Sequence, residues 1–417
     1  MIFEVEEVQA FEILDSRARP TVCCGLKLRS QRYCFAKVPS GASKGSREAL
    51  ELRDNDERYM GWGVRRAISS IDKIIAPEIK RRTFRSPQEF DEFLLALDSS
   101  GNKSNLGANA ILACSMAFWR SVASLKNCEL FELFEGSKSL PVPMINLING
   151  GAHADNQLEF QEFMIVPNGF PMFSQAIQAS AEVFMALKQK LKAKGFHTAL
   201  GDEGGFAPNL REIEALEVLS EVVHESRYQV GEQISLALDV AATELWDGNC
   251  YRSKKSSSFV FSPEELINYY NSILSKFKII SIEDPFAEFD HQSWRIFTNQ
   301  RPDVVVIGDD LYVTNAKIIK EGIDNRLSNG VLIKLNQIGT VLETLQAIQL
   351  AQHGGWKVAI SHRSGETEDT FIADLAVGVG ADFIKTGSVA RSERTSKYNR
   401  LLEIAHFHPN LKYKSFC

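Results

Sequence analysis

The feature that most constrains the fold is a regular alternation of short apolar runs and helical segments over the second half of the chain. The runs are typical of buried strands, and a spacing of roughly 25 residues between most of them fits one strand, one helix and two loops. Six runs end in polar residues, namely Asp239, Glu283, Asp309, Lys334, His362 and Lys385. Parallel strands closed into a (β/α)8 barrel present their carboxyl ends at one mouth, where active sites form. The alternative is a set of ordinary loop caps, but six in succession favour a shared site.

The N-terminal part of the chain has a different pattern, in which strands precede helices. Three strand-like runs, FEVEEVQAFEIL, TVCCGLKL and YCFAKV, predict an antiparallel meander. Helical periodicity follows over 47–54, 64–82, 87–97 and 108–125. This order favours an α+β domain, and the Gly-, Ser- and Pro-containing stretch FEGSKSLPVP is a suitable linker. We therefore expect a domain over 1–136 and a barrel domain over 137–417.

Three of the run-terminal residues are carboxylates on neighbouring strands of the predicted barrel. Asp239, Glu283 and Asp309 would repel one another unless a cation lay among them. Oxygen ligands without cysteine or several histidines favour a hard ion, Mg²⁺ above all. The alternative is pairing with nearby arginine or lysine side chains. The sequence predicts a magnesium site at the barrel mouth.

Lys334 directly follows the apolar run GVLI, where an ammonium group is costly to bury without compensation. The predicted strand order places Lys385 two strands away, beside the same metal site. Cationic neighbours destabilise the charged form of a lysine, so one of the two can act as a base near neutral pH. The alternative is a lysine that snorkels to solvent or pairs with a carboxylate. We expect burial and neighbouring cations to tune the pKa of Lys334.

The composition excludes several classes of function. The formal net charge is −6 and the sequence pI about 5.9, so no overall positive field attracts nucleic acid or anionic lipid. Seven scattered cysteines without a C-x-x-C pair argue against a disulfide framework or structural zinc and fit a reducing cytosol. The acidic N-terminus is unlike a signal peptide, and no apolar run reaches the roughly 18 residues of a membrane span. We expect a cytoplasmic protein that binds no DNA and spans no membrane.

Three further motifs place chemically capable residues in glycine-rich loops. GDEGGFAPN carries Glu203 ahead of two glycines, which let backbone and ligand approach closely. In SHRSGETED, Arg363 and Ser364 are adjacent. The parallel N–H donors of an arginine and the hydroxyl of a serine are suited to binding a phosphate. PSGASKGSREAL is typical of a mobile lid. Taken alone, a short glycine loop of this kind is more often a turn or a cap.

Taken together, ten motifs resemble the enolase family from near the N-terminus to about Ile404. They are DSRARPTV, PSGASKGSREALELRD, NGGAHADN, FQEFM, GDEGGFAPN, SIEDP, GDDLYVTN, LIKLNQIGT, SHRSGETEDT and IKTGS. The resemblance implies an α/β fold with an N-terminal α+β capping domain and a C-terminal modified (β/α)8 TIM-type barrel. It also implies a homodimer or an assembly of dimers. Surface or RNA-degradation partners, and a secreted or cell-surface pool, rest on this resemblance alone.

The resemblance further implies a phosphopyruvate hydratase, which reversibly dehydrates 2-phospho-D-glycerate to phosphoenolpyruvate in glycolysis and gluconeogenesis. Lys334 would remove the C2 proton, and Glu203 would protonate the departing C3 hydroxyl. One Mg²⁺ would bind the three strand-end carboxylates, and a second, arriving with substrate, would bind Ser43 in the lid. The substrate-binding residues would be Gln161, Arg363, Ser364, Lys385, His153, Glu162 and His362.

Three departures from the family pattern leave every catalytic residue in place. The lid has Lys44 where threonine is usual, and DSRARP has Ala18 and Arg19 where Gly-Asn is usual, at a turn near the expected dimer contact. The C-terminal segment lacks the usual acidic helix and small-residue tail. Two alternatives are a non-catalytic role on the same fold and a related enzyme acting on a non-phosphorylated acid. The retained carboxylates and lysines argue against the first, and SHRSGE and SGASKG argue against the second.

Lys44→Thr tests the departure in the lid. An added cation beside Ser43 should alter lid closure or substrate affinity, so the substitution should change the KM for 2-phosphoglycerate by about two- to fivefold, the range for one added charge. The melting temperature should change little. Steady-state kinetics and a thermal melt measure the two effects, and an unchanged KM would make Lys44 a neutral departure.

Overall fold

A four-stranded sheet forms the base of the N-terminal domain. The computed structural model describes residues 1–41, 45–256 and 259–416. The strands of this sheet are β1 (Phe3–Leu14), β2 (Pro20–Leu28), β3 (Cys34–Lys37) and β4 (Thr83–Phe84). They lie in the order β3-β2-β1-β4, and the antiparallel pairing of β1 with β2 and of β2 with β3 confirms the predicted meander.

Helices cover one face of this sheet. They are α1 (Arg65–Ser70), α2 (Ala76–Ile79), α3 (Pro87–Leu97) and α4 (Ala108–Lys126), with a π-helical stretch at Ile71–Ile75 between the first two. These confirm the helical periodicity predicted after residue 63. The centre of α4 is buried, and Phe118 stacks on Phe90 of α3 with ring centroids 3.9 Å apart. The domain therefore has its own apolar core.

The helix predicted over 47–54 is wrong, because the segment is irregular. The N–H of Ala49 donates to the carbonyl of Gln337 at 2.8 Å, across to the barrel. The N–H of Leu52 donates to the Asn109 side chain at 3.0 Å, which donates back to the Leu52 carbonyl. Tertiary partners thus satisfy backbone groups that a helix would have paired internally, and they override the local helical pattern.

The remainder of the chain forms a closed eight-stranded barrel in the part that the structure describes. Its strands, with the small hairpin β8–β9 outside the barrel, are β5 (Val142–Asn149), β6 (Glu162–Val166), β7 (Ser235–Asp239), β8 (Tyr251–Arg252), β9 (Val260–Phe261), β10 (Ile279–Glu283), β11 (Val305–Gly308), β12 (Gly330–Ile333), β13 (Lys357–Ser361) and β14 (Phe383–Lys385). The fold class, a capping domain followed by a TIM-type barrel, is confirmed.

Helices surround the barrel and connect its strands. They are α5 (Phe173–Ala193), α6 (Glu212–Glu225), α7 (Pro263–Lys276), α8 (His291–Gln300), α9 (Ala316–Asn325), α10 (Leu335–Ile338), α11 (Val341–His353), α12 (Phe371–Gly378) and α13 (Ser392–Phe407). Within the described residues, none of the helices combines the length and apolar character needed to cross a bilayer.

The strand order around the barrel is β5-β6-β7-β10-β11-β12-β13-β14, with β14 returning to β5. The expectation of parallel strands throughout is wrong for β6, which runs antiparallel to both β5 and β7. Glu162, the first residue of β6, consequently pairs with Asn149 and Asp239 at the ends of those neighbours. The reversal therefore brings the amino end of β6, rather than its carboxyl end, to the mouth of the barrel.

The C-terminal segment closes the end of the barrel opposite the mouth. Apolar side chains fill the barrel interior, and Phe416 packs on this cluster with its ring centroid 4.8 Å from that of Phe383. The Tyr413 hydroxyl donates to the Pro167 carbonyl at 2.6 Å. The departure from the family pattern at this end is thus a packed segment, in which aromatic rings cover the bottom of the barrel.

Asp91 of α3 fastens the capping domain to the barrel. Its buried carboxylate accepts hydrogen bonds from the Trp119 indole at 3.0 Å and from the N–H of Leu342, in the first turn of α11, at 2.9 Å. Burial raises the pKa of Asp91 to about 7. The contact fixes the capping domain against the segment that follows β12, where Lys334 lies.

Ala18 occupies a tight turn whose backbone is strained for alanine. Its φ of 58° lies in the left-handed region, which a side chain disfavours. The N–H groups of Arg17 and Arg19 both donate to the Asp15 carboxylate, at 2.8 and 2.9 Å, and fix this conformation. The Arg19 guanidinium lies 3.8 Å from the centre of the Trp62 ring, a cation–π contact. An effect of these departures on a dimer stays a prediction.

Ala18→Gly should stabilise the protein by about 1 kcal/mol, because glycine adopts the left-handed conformation without the Cβ penalty. The same substitution at Ala10, within β1, should destabilise by about 0.5–1 kcal/mol, since there glycine only adds freedom to the unfolded chain. Urea denaturation followed by circular dichroism measures both midpoints. A decrease in stability for both variants would show that the turn is not strained.

Candidate active site

The predicted site residues that the structure describes meet at the barrel mouth. Glu283 contacts the ammonium group of Lys385, and Asp309 contacts that of Lys334. Ser43 lies outside the described residues. The others line a cavity of about 20 Å³, whose walls are Gly41, His153, Gln161, Glu162, Glu203, Asp239, Lys334, Ser361, His362, Arg363, Ser364 and Lys385. A space of this size holds about one water molecule. Side chains therefore fill most of the site in this arrangement.

Lys385 lies at the centre of a buried carboxylate cluster. Its ammonium group is 2.9 Å from Asp239, 2.9 Å from Glu283 and 3.1 Å from Glu162. Burial opposes the charge on Lys385, but the three carboxylates raise its pKa well above the ordinary value. Lys385 is therefore a permanent cation, and its position shows that the surrounding oxygens form a site for positive charge.

Lys334, which is partly buried, also forms an ion pair, with Asp309. Burial, Arg363 and Lys385 all lower the pKa of Lys334, as the sequence predicted, but the Asp309 carboxylate outweighs them and raises it above the ordinary value. The expectation of a lysine tuned downward is thus wrong for the arrangement described. Asp309 is the cause, so the pKa of Lys334 depends on what else engages that carboxylate.

Glu203 and Glu162 form the acidic wall on the other side of the cavity. Nδ1 of His153 lies 3.5 Å from Glu203 and 3.8 Å from Glu162. Burial, together with the neighbouring Glu203 charge, raises the pKa of Glu162 well above its ordinary value. Burial also opposes ionisation of Glu203, but His153, His362 and Arg394 hold its pKa well below the ordinary value. A proton on this pair is therefore favoured on Glu162 rather than on Glu203.

His362 connects this wall to the loop that follows β13. Its Nε2 lies 3.4 Å from Glu203, and its Nδ1 lies 2.6 Å from the Arg394 guanidinium. Burial lowers the pKa of His362 well below its ordinary value, although the nearby Glu203 charge opposes that shift. The ring is therefore neutral at physiological pH, and it can donate from only one nitrogen.

Arg363 and Ser364 are positioned by residues from the capping domain. The Arg363 guanidinium binds both oxygens of the Glu48 carboxylate, at 3.0 and 3.1 Å. Arg17 donates to the Ser364 hydroxyl at 3.2 Å and to the carbonyl of Gly41, at the stem of the predicted lid, at 3.2 Å. Both outer nitrogens of the Arg363 guanidinium thus bind one carboxylate in a bidentate manner.

Gln161 and Asp284 support the predicted metal ligands. The Gln161 amide donates to the Asp239 carboxylate at 3.1 Å. The carboxylate of Asp284 accepts the N–H groups of Asp309 and Asp310, at 2.9 and 3.0 Å, and so shapes the turn after β11. Burial and the adjacent carboxylates raise the pKa of Asp284 well above its ordinary value.

The predicted triad is not gathered around one point in this arrangement. Lys385 engages Asp239 and Glu283, whereas Lys334 and the Gln337 amide engage Asp309. Among the described residues, ligand atoms cluster within 4.8 Å in two other sets, His153–Glu162–Glu203 and Asp284–Asp309–Asp310. The donors at the mouth are nevertheless dominated by carboxylate oxygens in a cluster that already holds cations, which suits a hard divalent ion.

Three site residues were missed by the sequence reasoning. Arg17 and Glu48 lie within the motifs DSRARP and SREAL, so their motifs were recognised but their side chains were not assigned. Arg394 lies in SERTSKYN, outside every motif identified. A buried arginine on an amphipathic helix has no sequence signal that separates it from a surface arginine.

Known proteins are similar in sequence to this chain over nearly its whole length. The family model "Enolase, N-terminal domain" matches residues 5–134, and "Enolase, C-terminal TIM barrel domain" matches residues 137–413. Enolases of Helicobacter pylori strains P12 and ATCC 700392 / 26695 are each 47% identical to the chain over 407 residues, 96% of either protein. The enolase of strain G27 is 46% identical over the same length. The chain therefore belongs to the enolase family, the phosphopyruvate hydratases, which are hydro-lyases of glycolysis.

Proposed function

We propose that the chain dehydrates 2-phospho-D-glycerate reversibly to phosphoenolpyruvate, with Lys334 as the base at C2 and Glu203 as the acid at the C3 hydroxyl. The observation that carries this assignment is the opposition of the two groups across the mouth. Lys334 follows β12, whereas Glu203 is bonded by Asn146 of β5 at 3.1 Å and lies beside Glu162 of β6. Strands β6 and β12 are four apart in a ring of eight, so they face each other. Such an arrangement suits removal of a proton and a hydroxyl from opposite sides of a substrate.

The cations around the cavity fit the two acidic groups of the substrate. Arg363 and Ser364 would hold the phosphate, because the Arg363 fork already binds a carboxylate in the same bidentate manner. Lys385 would hold the substrate carboxylate, since it remains charged beside three carboxylates. Gln161 and the histidines His153 and His362 would complete the pocket. Binding requires Glu48 to yield its place on Arg363.

The proposed proton transfers depend on the ion pair of Lys334 with Asp309 and on the neighbouring acids Glu162 and Glu203. Lys334 loses the contact that raises its pKa whenever Asp309 is engaged elsewhere, and Arg363 and Lys385 then favour its neutral, basic form. On the other wall, a proton held between Glu162 and Glu203 would be available to the departing hydroxyl. Glu203 would deliver it, and the histidines beside Glu203 would stabilise the carboxylate that remains.

The family is associated with a divalent metal, and we propose Mg²⁺, with two ions per site. Asp239, Glu283 and Asp309 would hold the first, and Ser43 in the lid would take part in binding the second when substrate arrives. When bound, the ions supply positive charge where the enolate develops beside the substrate carboxylate. The support for this assignment is the charge of the cluster, which draws two lysines toward three carboxylates.

We also propose a cytoplasmic homodimer or assembly of dimers. The outer face of the capping sheet exposes the apolar side chains of Phe11 (43%) and Phe35 (44%), whose ring centroids are 6.3 Å apart. Adjacent exposed apolar groups of this kind are typical of contact surfaces. Size-exclusion chromatography with light scattering measures the mass in solution directly.

Removal of divalent cations should lower turnover by at least about 10²-fold, and added Mg²⁺ should restore it, because uncompensated enolate charge raises the barrier by several kcal/mol. The adjacent buried carboxylates Glu283 and Asp284 offer a matched pair of variants. Glu283→Gln should raise the Mg²⁺ concentration required for half-maximal activity more than Asp284→Asn does. The reverse order would place the ion among Asp284, Asp309 and Asp310 instead, and full activity in chelator would exclude a metal role.

Exchange of the C2 proton with deuterated solvent separates the base from the acid. Lys334→Ala should abolish both exchange and dehydration, with a loss of about 10²–10⁴-fold, because no group is left to accept the proton. Glu203→Gln should block dehydration by a similar factor while exchange continues, because the enolate still forms and is reprotonated. Proton NMR measures exchange, and ultraviolet absorbance of phosphoenolpyruvate measures dehydration. Exchange in the Lys334 variant, or equal loss in both variants, would contradict these roles.

A further inference from the structure

Arg394, near the start of α13, has no exposed surface and donates into the proton-transfer site. Its guanidinium contacts Nδ1 of His362 and the carbonyl of Arg363, each at 2.6 Å. The same group donates to the carbonyl of Ser364 at 2.6 Å and to the carbonyl of Asp202 at 3.1 Å. These acceptors belong to the phosphate loop after β13 and to the loop that carries Glu203.

The contact with His362 fixes which of its ring nitrogens carries the proton. A guanidinium can only donate hydrogen bonds, so Nδ1 of His362 must accept and the proton of the neutral ring must be on Nε2. Nε2 is the nitrogen that lies 3.4 Å from Glu203. The ring therefore presents a donor, rather than a lone pair, to the carboxylate of the acid.

The other acceptors join two parts of the site that are far apart in sequence. By holding the carbonyls of Arg363 and Ser364 on one side and that of Asp202 on the other, one planar group fixes the separation of the phosphate loop from the acid. A charge with no exposed surface is expensive unless hydrogen bonds compensate it. The nearest carboxylate of its own helix, Glu393, is 3.6 Å from the Arg394 Nε, and most of its close partners are groups of the site.

We propose that Arg394 is a positioning residue, which holds His362 in the Nε2–H tautomer and thereby orients Glu203 toward the departing hydroxyl. This inference rests on the proposed function, in which Glu203 is the acid. It predicts that Arg394 serves the elimination step and not the removal of the C2 proton, because none of the contacts described above reaches Lys334.

The same helix supplies a matched control. Arg400 also makes ion pairs, but with Asp374 at 2.7 Å and Glu129 at 2.6 Å, which lie outside the site. Arg→Lys at either position keeps the charge and removes the fork. Both variants lose a packed ion-pair network, so a purely structural role predicts similar consequences for the two.

The test compares Arg394→Lys with Arg400→Lys in dehydration, in C2 exchange and in nitrogen-15 NMR of the histidine rings. Arg394→Lys should reduce dehydration by about 10²-fold while exchange changes less than threefold, and the His362 signals should lose the pure Nε2–H pattern. Arg400→Lys should leave the ratio of exchange to dehydration and the His362 tautomer unchanged. Equal loss of exchange and dehydration in the Arg394 variant, with an unchanged tautomer, would overturn the proposal.

A second measurement does not depend on whether Arg394→Lys folds. In the unsubstituted protein, His362 must show the Nε2–H tautomer, with His362→Gln used to assign its signals. An Nδ1–H tautomer would overturn the proposal directly. Absence of any dehydration by the unsubstituted protein would instead refute the proposed function, while the tautomer measurement would still report whether Arg394 fixes the ring.

Discussion

The structure depends on mutual compensation of buried charge at the barrel mouth. Lys385 lies among three carboxylates within 3.1 Å, and Lys334 is paired with Asp309. Removal of one partner from a buried pair typically costs about 3–5 kcal/mol, because the other charge is left without compensation. The strands that carry these groups must therefore meet in one register. The strand register that closes the barrel is therefore also the register that pairs these charges.

This compensation also divides the mouth into two chemically different walls. On the β12 side, the Asp309 carboxylate keeps Lys334 charged until it is engaged elsewhere. On the β5–β6 side, burial and the neighbouring Glu203 charge raise the pKa of Glu162, and His362 lies between Glu203 and Arg394. A site that binds a trianionic substrate needs both a surplus of cations and a stored proton, and opposed walls keep the two from neutralising each other.

The part of the site that the sequence predicted is the part with a regular period. Because β10 to β14 recur at similar intervals with helices between them, the positions of Glu283, Asp309, Lys334 and Lys385 followed from spacing alone. The pattern failed where the period breaks. β5 and β6 are joined by a segment that includes NGGAHADN and has no α-helix, only a 3-10 turn at Gly151–His153, so their strands were not predicted and the reversal of β6 was not anticipated. The residue assignments beyond spacing came from resemblance to the enolase family.

The other errors of prediction have one physical cause: a local sequence pattern carries no information about the tertiary partners of a residue. Segment 47–54 has helical periodicity, yet its backbone pairs with Asn109 and Gln337. The sequence does not distinguish Arg394 from other arginines in helical stretches, because its contacts form only when α13 packs against the loop after β13. Periodicity reports which face of an element is apolar, whereas these residues act through polar contacts made by single atoms.

The buried lysine after β12 illustrates why a site of this kind can form before any ligand arrives. Three carboxylates without a cation would repel one another, which would weaken the cluster. With Lys334 and Lys385 available, the same carboxylates remain paired and the loops that carry them stay in place. Under the proposed function, an incoming cation would exchange for an ammonium group instead of entering a repulsive site. The exchange would free Lys334 to accept a proton and Lys385 to hold an anion.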